Sequence, residues 1–183
     1  VNTFTVFLTT LGLISARAQV CYGNLNVKFG GAYCGMSDAL DGATHHATED
    51  IAVMRALPNM TVLVPSDATS TRWATKYAVD TYGPRLSRDV YPDLYDENTK
   101  FECGKGAIVR DGTDVTVIAC GILVHKALEA AEQMAARGVS VRVVDMYSIK
   151  PIDRELILRC AQETGAIVTA EEHNIYGGLG SAV

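Results

Sequence analysis

Short runs of β-branched and aliphatic residues recur along this sequence, and most of them precede a stretch with helical periodicity. This alternation is typical of α/β proteins, in which helices connect and cover parallel strands. The predicted strands cover residues 25–29, 61–64, 115–119, 139–144 and 166–170. The predicted helices cover residues 4–20, 48–57, about 67–79, 123–136 and 151–160. The sequence therefore predicts an α/β fold of two consecutive three-layer domains with mostly parallel sheets.

A stretch rich in Tyr, Asp and Pro at residues 89–97 separates two zones of this pattern. Such a composition favours a linker over a helix or a strand. We therefore expect a first domain over residues 1–95 and a second domain over residues 96–183. The chain opens on Val-Asn and ends on Ser-Ala-Val, and we interpret the first domain as truncated at its N-terminus and the second at its C-terminus.

Composition limits the class of protein. With 48% hydrophobic and 20% charged residues, the chain can bury a core and is not a disordered tail. The formal net charge is -5 and no cluster of Lys or Arg appears, so we expect neither a nucleic-acid nor a membrane partner. The apolar segment 4–14 is too short and too polar to span a bilayer. Five cysteines without a CxxC pair favour a reducing, cytoplasmic compartment over a disulfide framework or a zinc site.

A glycine-rich segment at residues 30–45 contains the strongest candidates for binding or catalysis. It follows a predicted strand and precedes a predicted helix, which is where α/β folds place ligands. Asp41 and His45 lie four residues apart and could hydrogen-bond a polyhydroxylated substrate together. The alternative is a polar surface loop in which His45 caps the following helix, and the spacing alone favours neither interpretation.

An ordered set of motifs resembles the transketolase family over nearly the whole chain. The segments 42–46 (GATHH), 49–52 (EDIA), 58–60 (PNM) and 64–67 (VPSD) are similar to the pyrimidine-binding domain of transketolases. The segments 169–174 (TAEEHN) and 177–180 (GGLG) resemble the transketolase C-terminal domain. Each motif is weakly specific by itself, but their order along the chain is specific.

The resemblance implies a thiamine-diphosphate enzyme that transfers a two-carbon ketol unit between sugar phosphates. Phe4 and Phe7 would line the pocket of the aminopyrimidine ring, and Asp41 would hydrogen-bond a substrate hydroxyl. His45 would contact the reacting two-carbon unit or the acceptor carbonyl, and Arg88 would bind the sugar phosphate. Tyr33 stands where the family commonly carries a phosphate-binding histidine.

The resemblance also implies partners. The sequence contains no diphosphate-binding and metal-binding motif of the Gly-Asp-Gly type, so we expect no metal site on this chain. Thiamine diphosphate and its Mg²⁺ would be held by a domain absent from this chain, on an N-terminal transketolase subunit or domain that also carries the catalytic glutamate. The assembly would be a homodimer or a heterotetramer. The alternatives are a deoxyxylulose-phosphate synthase, a 2-oxoacid dehydrogenase E1 β-like component, or a non-catalytic assembly subunit.

Overall fold

The structure is a computed structural model that describes residues 1–37, 40–87 and 93–183. It is an α/β fold with two sheets, and most of the strand pairs are parallel, as predicted. The strands are β1 (Asn2–Phe4), β2 (Lys28–Ala32), β3 (Thr61–Leu63), β4 (Arg85–Ser87), β5 (Ala107–Arg110), β6 (Val115–Ala119), β7 (Val141–Asp145), β8 (Ser148–Lys150) and β9 (Ile167–Ala170). The helices are α1 (in three segments, Phe7–Leu11, Leu13–Ser15 and Ala16–Cys21), α2 (Asp50–Ala56), α3 (Ala68–Asp80), α4 (Leu123–Ala135) and α5 (Arg154–Glu163).

The first sheet has the strand order β1-β2-β4-β3-β8. Its first four strands are parallel, with Phe4 opposite Ala32 between β1 and β2. The fifth strand, β8, comes from the second half of the chain and pairs antiparallel with β3, with Val62 opposite Lys150. Because β8 covers the outer edge of β3, the second half of the chain completes the sheet of the first half.

The second sheet has the strand order β5-β7-β6-β9, with β5 antiparallel to β7 and the other pairs parallel. Its two faces are covered by different helices, because side chains alternate along each strand. Val141 and Val143 pack with α4, whereas Val144 packs with Leu156 of α5 and with residues of the first half of the chain. The resulting arrangement places this sheet between two helical layers.

The start of the chain differs from the predicted helix over residues 4–20. Residues 2–4 form a strand instead, and the helix begins at Phe7 with π-helical geometry in its first and last segments. The glycines of β2 explain this difference, because a Cβ at Gly31 would lie 2.6 Å from Thr5 Oγ1. The Thr5 hydroxyl donates to Ala32 O at 2.9 Å, so the N-terminal segment lies directly against a strand that lacks side chains at this point.

The other predicted elements lie close to their predicted bounds, whereas β4, β5 and β8 have no counterpart among the predicted strands. The strand predicted at 25–29 is displaced to Lys28–Ala32, so Gly30 and Gly31 belong to β2 and the glycine-rich loop begins at Tyr33. The cap predicted at Ser66 or Asp67 is Asp67, which accepts a hydrogen bond from Ser70 N at 2.7 Å. Helix α5 begins later than predicted, because the carboxylate of Asp153 caps it by accepting from Leu156 N at 3.0 Å.

One apolar core continues across the boundary between the two halves. It includes Ile51 and Met54 of α2, Val62 of β3, and Met146 and Ile149 around β8, all at most 2% exposed. Burial of this kind is the main stabilising contribution to a fold. Within the described ranges, no helix has both the length and the apolar character needed to cross a bilayer.

Candidate functional site

The candidate site lies at one end of the first sheet, where β1 and β2 finish side by side. Because these strands are parallel and Phe4 is opposite Ala32, the residues that follow them emerge at the same end of the sheet, where the strands have their carboxyl ends. After β1 the chain enters α1, which carries Phe7, and after β2 it enters the loop that carries Tyr33 and His45. The topology therefore brings together residues more than 40 positions apart, at the edge where open α/β sheets bind ligands.

Four rings form a cluster at this edge. The Phe4 and Phe7 rings are 5.9 Å apart between centroids, and both meet the imidazole of His45 edge to face, at 5.3 Å and 5.0 Å respectively. The fourth ring, Tyr33, stacks on Phe4 at 4.9 Å with an interplanar angle of 26°. These distances are those of favourable aromatic pairs. The predicted residues Phe4, Phe7 and His45 thus lie in direct contact with one another.

The orientation of His45 depends on its neighbours in the loop. Its Nδ1 lies 2.9 Å from the Thr44 hydroxyl, and its backbone N donates to Gly42 O at 3.0 Å. The alternative in which His45 caps the next helix is wrong, since α2 begins after Glu49 and has no side-chain cap at that position. The imidazole instead packs on the two phenylalanine rings.

The two other predicted site residues have different positions. Asp41 lies on the exposed part of the same loop, just before Gly42, which adopts a φ of +69°. A left-handed backbone is accessible to glycine at no steric cost, so Gly42 allows the sharp turn between Asp41 and His45. Arg88 lies outside the described residues.

The stacking of Tyr33 on Phe4 is a contact that the sequence analysis did not predict. Tyr33 adopts a left-handed φ of +54°, which is uncommon for residues other than glycine, and its side chain remains 54% exposed. The sequence offered one signal for this contact, which is the position of Tyr33 directly after a glycine-containing strand. That the Tyr33 ring reaches Phe4 follows only from the pairing of β1 with β2.

The chemistry of the cluster fits a flat heteroaromatic ligand. Phe4 and Phe7 are only partly buried, so they offer aromatic surface next to an imidazole that can exchange hydrogen bonds. Asp41 offers a carboxylate suited to a hydroxyl group. Among the residues that the structure describes, no group of three or more His, Cys, Asp or Glu side chains is placed to hold a metal ion.

A second polar cluster lies between the two halves of the chain. The carboxyl of Asp145, at the end of β7, accepts hydrogen bonds from the hydroxyls of Ser66 and Tyr95. Burial raises the pKa of Asp145 to about 7, although both hydrogen bonds oppose this effect. Burial also raises the pKa of Tyr95, and the nearby Asp145 acts in the same direction.

The nearby carboxyl of Asp67 has a lowered pKa, in contrast to that of Asp145. Its burial opposes the charged form, but hydrogen bonds from Ser70, Tyr95 and Leu94 hold the pKa of its carboxyl below the ordinary value. The carboxylate thereby ties the segment at residues 94–95 to the start of α3, through contacts of 2.9 Å and 2.8 Å to the two backbone N atoms.

Comparison with known proteins gives consistent matches along the chain. Residues 1–89 match the family model of the transketolase pyrimidine binding domain, and residues 104–183 match that of the transketolase C-terminal domain. The chain is 40% identical to the 6-deoxy-6-sulfo-D-fructose transketolase subunit SqwH of Clostridium sp. (strain MSTE9), over 99% of this chain and 57% of that protein.

Two further relatives extend these matches. The chain is 42% identical to an apulose-4-phosphate transketolase subunit of Phocaeicola vulgatus, over 97% of this chain and 58% of that protein. A solved structure described as a split gene transketolase, inactive beta4 tetramer, superposes with a TM-score of 0.91 at 47% identity, over 99% of this chain and 59% of that chain. The chain therefore spans less than two thirds of the length of these relatives.

Proposed function

The chain belongs to the transketolase family, and from this membership we propose that it is part of an enzyme that transfers a two-carbon ketol unit between sugar phosphates. The cofactor is thiamine diphosphate, which members of this family use. The observation that carries the proposal is the contact of His45 with Phe4 and Phe7 inside the segment that matches the pyrimidine-binding domain. The names of the two curated relatives, both transketolase subunits, support it further.

Each residue of the site has a part in this proposal. Phe4 and Phe7 bind the aminopyrimidine ring through their exposed aromatic surface. Asp41 accepts a hydrogen bond from a hydroxyl of the sugar. His45, oriented by Thr44 and by the two phenylalanine rings, hydrogen-bonds the oxygen of the reacting two-carbon unit or of the acceptor carbonyl, where charge develops during the reaction. Arg88 binds the sugar phosphate by charge-assisted hydrogen bonds.

Thiamine diphosphate, when bound, supplies a nucleophilic carbon and an electron sink for the ketol unit. The residues of this chain bind and orient the sugar beside it, so that bond cleavage and transfer proceed from one fixed geometry. His45 also provides a ring nitrogen that can hold a proton at the substrate oxygen. No metal ligand on this chain is needed in the proposal, since Mg²⁺ accompanies the diphosphate on the partner.

The partner in this proposal is an N-terminal transketolase subunit or domain that holds the diphosphate and Mg²⁺. The names of the relatives support a division of the enzyme between chains, because two of them describe transketolase subunits and the third describes a split gene transketolase. We assign residues 1–95 to the pyrimidine-binding domain and residues 96–183 to the C-terminal domain, with β8 of the second domain completing the sheet of the first. The assembly is a homodimer or a heterotetramer.

A reconstitution assay tests this function. The full-length subunit is mixed with its diphosphate-binding partner, thiamine diphosphate and Mg²⁺, and ketol transfer is measured from a ketose phosphate to an aldose phosphate. We expect transfer only when both subunits and the cofactor are present. Decarboxylation of a 2-oxoacid without ketol transfer would instead identify a deoxyxylulose-phosphate synthase or a dehydrogenase component, and an inactive complex would identify an assembly subunit.

A further inference from the structure

The loop that carries Asp41 and His45 has a narrow neck. The backbone N of Gly35 donates to Ala47 O at 2.8 Å and closes the loop at its base. Beyond the neck, residues 36–37 and 40–44 are exposed, with Leu40 at 96%. The position of Asp41 therefore depends on how the neck is held and on the packing of His45 against Phe4 and Phe7.

Both sides of this neck are held by the second half of the chain. On one side, the Ser37 hydroxyl donates to Glu172 Oε1. On the other side, Thr48 O accepts two hydrogen bonds from Asn174, at 2.9 Å from its backbone N and at 2.7 Å from Nδ2. Two residues only two positions apart in the loop after β9 thus contact the two sides of the neck.

His173, which lies between them, contacts the start of the helix that follows the neck. Its Nε2 accepts a hydrogen bond of 3.2 Å from Ala52 N, and its Nδ1 lies 2.7 Å from Asn174 O. A single neutral tautomer, protonated on Nδ1, satisfies both contacts. The first backbone N–H groups of a helix have no partner within the helix, so His173 satisfies one donor of α2, a helix without a side-chain cap at Glu49.

Two glycines permit this close approach. A Cβ at Gly35 would lie 2.4 Å from Glu172 Cβ, and a Cβ at Gly177 would lie 2.6 Å from Ala52 Cβ. Both glycines also adopt a left-handed φ, of +75° and +80°. A larger residue at either position would push the two segments apart.

The loop after β9 is braced from within, so it can hold the neck firmly. The Glu171 carboxylate accepts hydrogen bonds from Leu179 N at 2.6 Å and from Gly180 N at 2.9 Å. On the side of the first half, Arg55 Nη1 donates to Gly178 O at 2.9 Å. These contacts fix the loop to itself and to α2.

We propose that Glu172, His173 and Asn174 form a clasp that positions the loop bearing Asp41 and His45 for ketol transfer. This inference rests on the function proposed above. The three residues are positioning residues, because each acts on the first half through the neck or through α2. The clasp gives the C-terminal domain a role in the reaction, because side chains in a site must be held within fractions of an ångström to act on a transition state.

The first test is a double-mutant cycle in the reconstituted complex of full-length subunits. Ser37→Ala and Glu172→Ala remove the same hydrogen bond from opposite sides, so each should lower kcat by about fivefold to tenfold, and the double variant should be no slower than either single variant. Glu172→Gln keeps an oxygen acceptor for Ser37 and should restore most of the rate. The matched control is Glu155→Ala, an exposed glutamate of the same half that pairs with Lys105, which should leave kcat unchanged.

Fully additive losses in this cycle, or an unchanged kcat in both single variants, would overturn the proposed positioning role. If Glu172→Ala fails to fold, Ser37→Ala and Asn174→Ala still decide the matter, because Ser37 and Asn174 are exposed. A lower melting temperature with an unchanged kcat per folded enzyme would mean that the contact is structural only.

The second test is amide hydrogen exchange of the full-length subunit, which needs no activity. Glu172→Ala and Asn174→Ala should accelerate exchange in residues 35–48 and leave α4 unchanged. Unchanged exchange in residues 35–48 would overturn the clasp itself. An inactive wild-type complex would overturn the proposed function and the positioning role together, while the exchange result would still show whether the clasp holds the neck.

Discussion

The hydroxyl of Tyr95 donates a hydrogen bond of 2.8 Å to the buried carboxyl of Asp145. Ser66 donates to the same oxygen, so one carboxyl of β7 connects the segment around Tyr95 with the residues just before α3. The other oxygen of Asp145 is buried and has no hydrogen-bond partner among the described residues. Burial is the main cause of the rise in its pKa to about 7, and the nearby carboxylate of Asp67 acts in the same direction.

The first prediction concerns the pH dependence that follows. An unfolded aspartate has a pKa of about 3.9, so between about pH 4 and pH 7 the folded chain binds a proton that the unfolded chain has released. The contribution of Asp145 to stability is therefore fully present below about pH 4 and is lost as pH rises through about 7. The free energy of unfolding should fall by up to about 1.4 kcal/mol per pH unit in this window.

Asp145→Asn isolates this effect, because the amide keeps an oxygen acceptor and does not titrate. Urea unfolding of the full-length subunit at several pH values between 4.5 and 7.5 (about the predicted window) should show a shallower pH dependence in the variant. Equal pH dependence in both proteins would show that Asp145 does not titrate in this range.

The second prediction concerns the loop residues of the site. Asp41→Ala and His45→Ala should each lower the turnover of the reconstituted complex by about 10²–10³, since removing one preorganised polar contact to a transition state costs roughly that much. Asp41 is exposed, so the free energy of unfolding should change little in Asp41→Ala. His45 packs on two phenylalanine rings, so His45→Ala should also lower the free energy of unfolding by about 0.5–1.5 kcal/mol for each lost aromatic pair. Asp80→Ala, on the exposed face of α3, is the matched control. Near wild-type turnover in either loop variant would remove that residue from the proposed site.

The third prediction concerns Arg88. Arg88→Ala should raise the KM for a phosphorylated ketose, because a charge-assisted hydrogen bond to phosphate is worth about 1.5–3 kcal/mol. The KM for a non-phosphorylated ketose should stay nearly the same. Steady-state kinetics with both donors make the comparison, and Arg72→Ala, an exposed arginine of α3, serves as the control. Equal losses on both donors would assign Arg88 a structural role.

The fourth prediction concerns self-association through α1. Leu11 and Ile14 are 81% and 80% exposed on this helix, whereas Leu8 of the same helix is buried. Adjacent exposed apolar side chains mark a protein interface, and two-fold pairing is the commonest arrangement of identical chains. We expect the full-length subunit to sediment as a dimer or larger species, and Leu11→Glu to shift it toward the monomer.

Val79→Glu is the control for Leu11→Glu, because it introduces the same negative charge at a site that is 69% exposed on a different helix, α3. It should leave the association unchanged. A specific interface of ordinary size associates at roughly tens of micromolar or below. If the wild-type subunit still sediments as a monomer at that concentration, the assignment of α1 to an interface is wrong.

The sequence predicted the elements whose signals are local. Strand β6 has its predicted bounds, and α4 ends at Ala135, shortly before Gly138. The β-branched run that forms β6 and the glycine that stops α4 both act over a few residues, so the sequence reveals them directly. The strands β1, β4, β5 and β8 were not predicted, since each has only three or four residues and pairs with a strand that is distant in sequence. Local pattern carries little information about such pairings.

The same distinction applies to the candidate site. The motifs identified Phe4, Phe7 and His45 as candidates, and the structure brings their rings together, although their roles remain predictions. The stacking of Tyr33 and the contact of Glu172 with Ser37 were missed. The latter joins residues 135 positions apart, and no spacing rule within a single segment reports a contact of that kind.

Strand β8 belongs to the second half of the chain but pairs with β3 of the first half, and this pairing limits how the halves of different relatives can be recombined. If a gene were cut between the two halves, the first fragment would expose the edge of β3, with its unpaired N–H and C=O groups open to other strands. It would also lose the ammonium of Lys150, which donates to Arg55 O at 2.8 Å and to Leu57 O at 2.6 Å at the end of α2. Chimaeras that graft the first half of one relative onto the second half of another must therefore preserve the pairing of β8 with β3, or the exposed edge of β3 can aggregate.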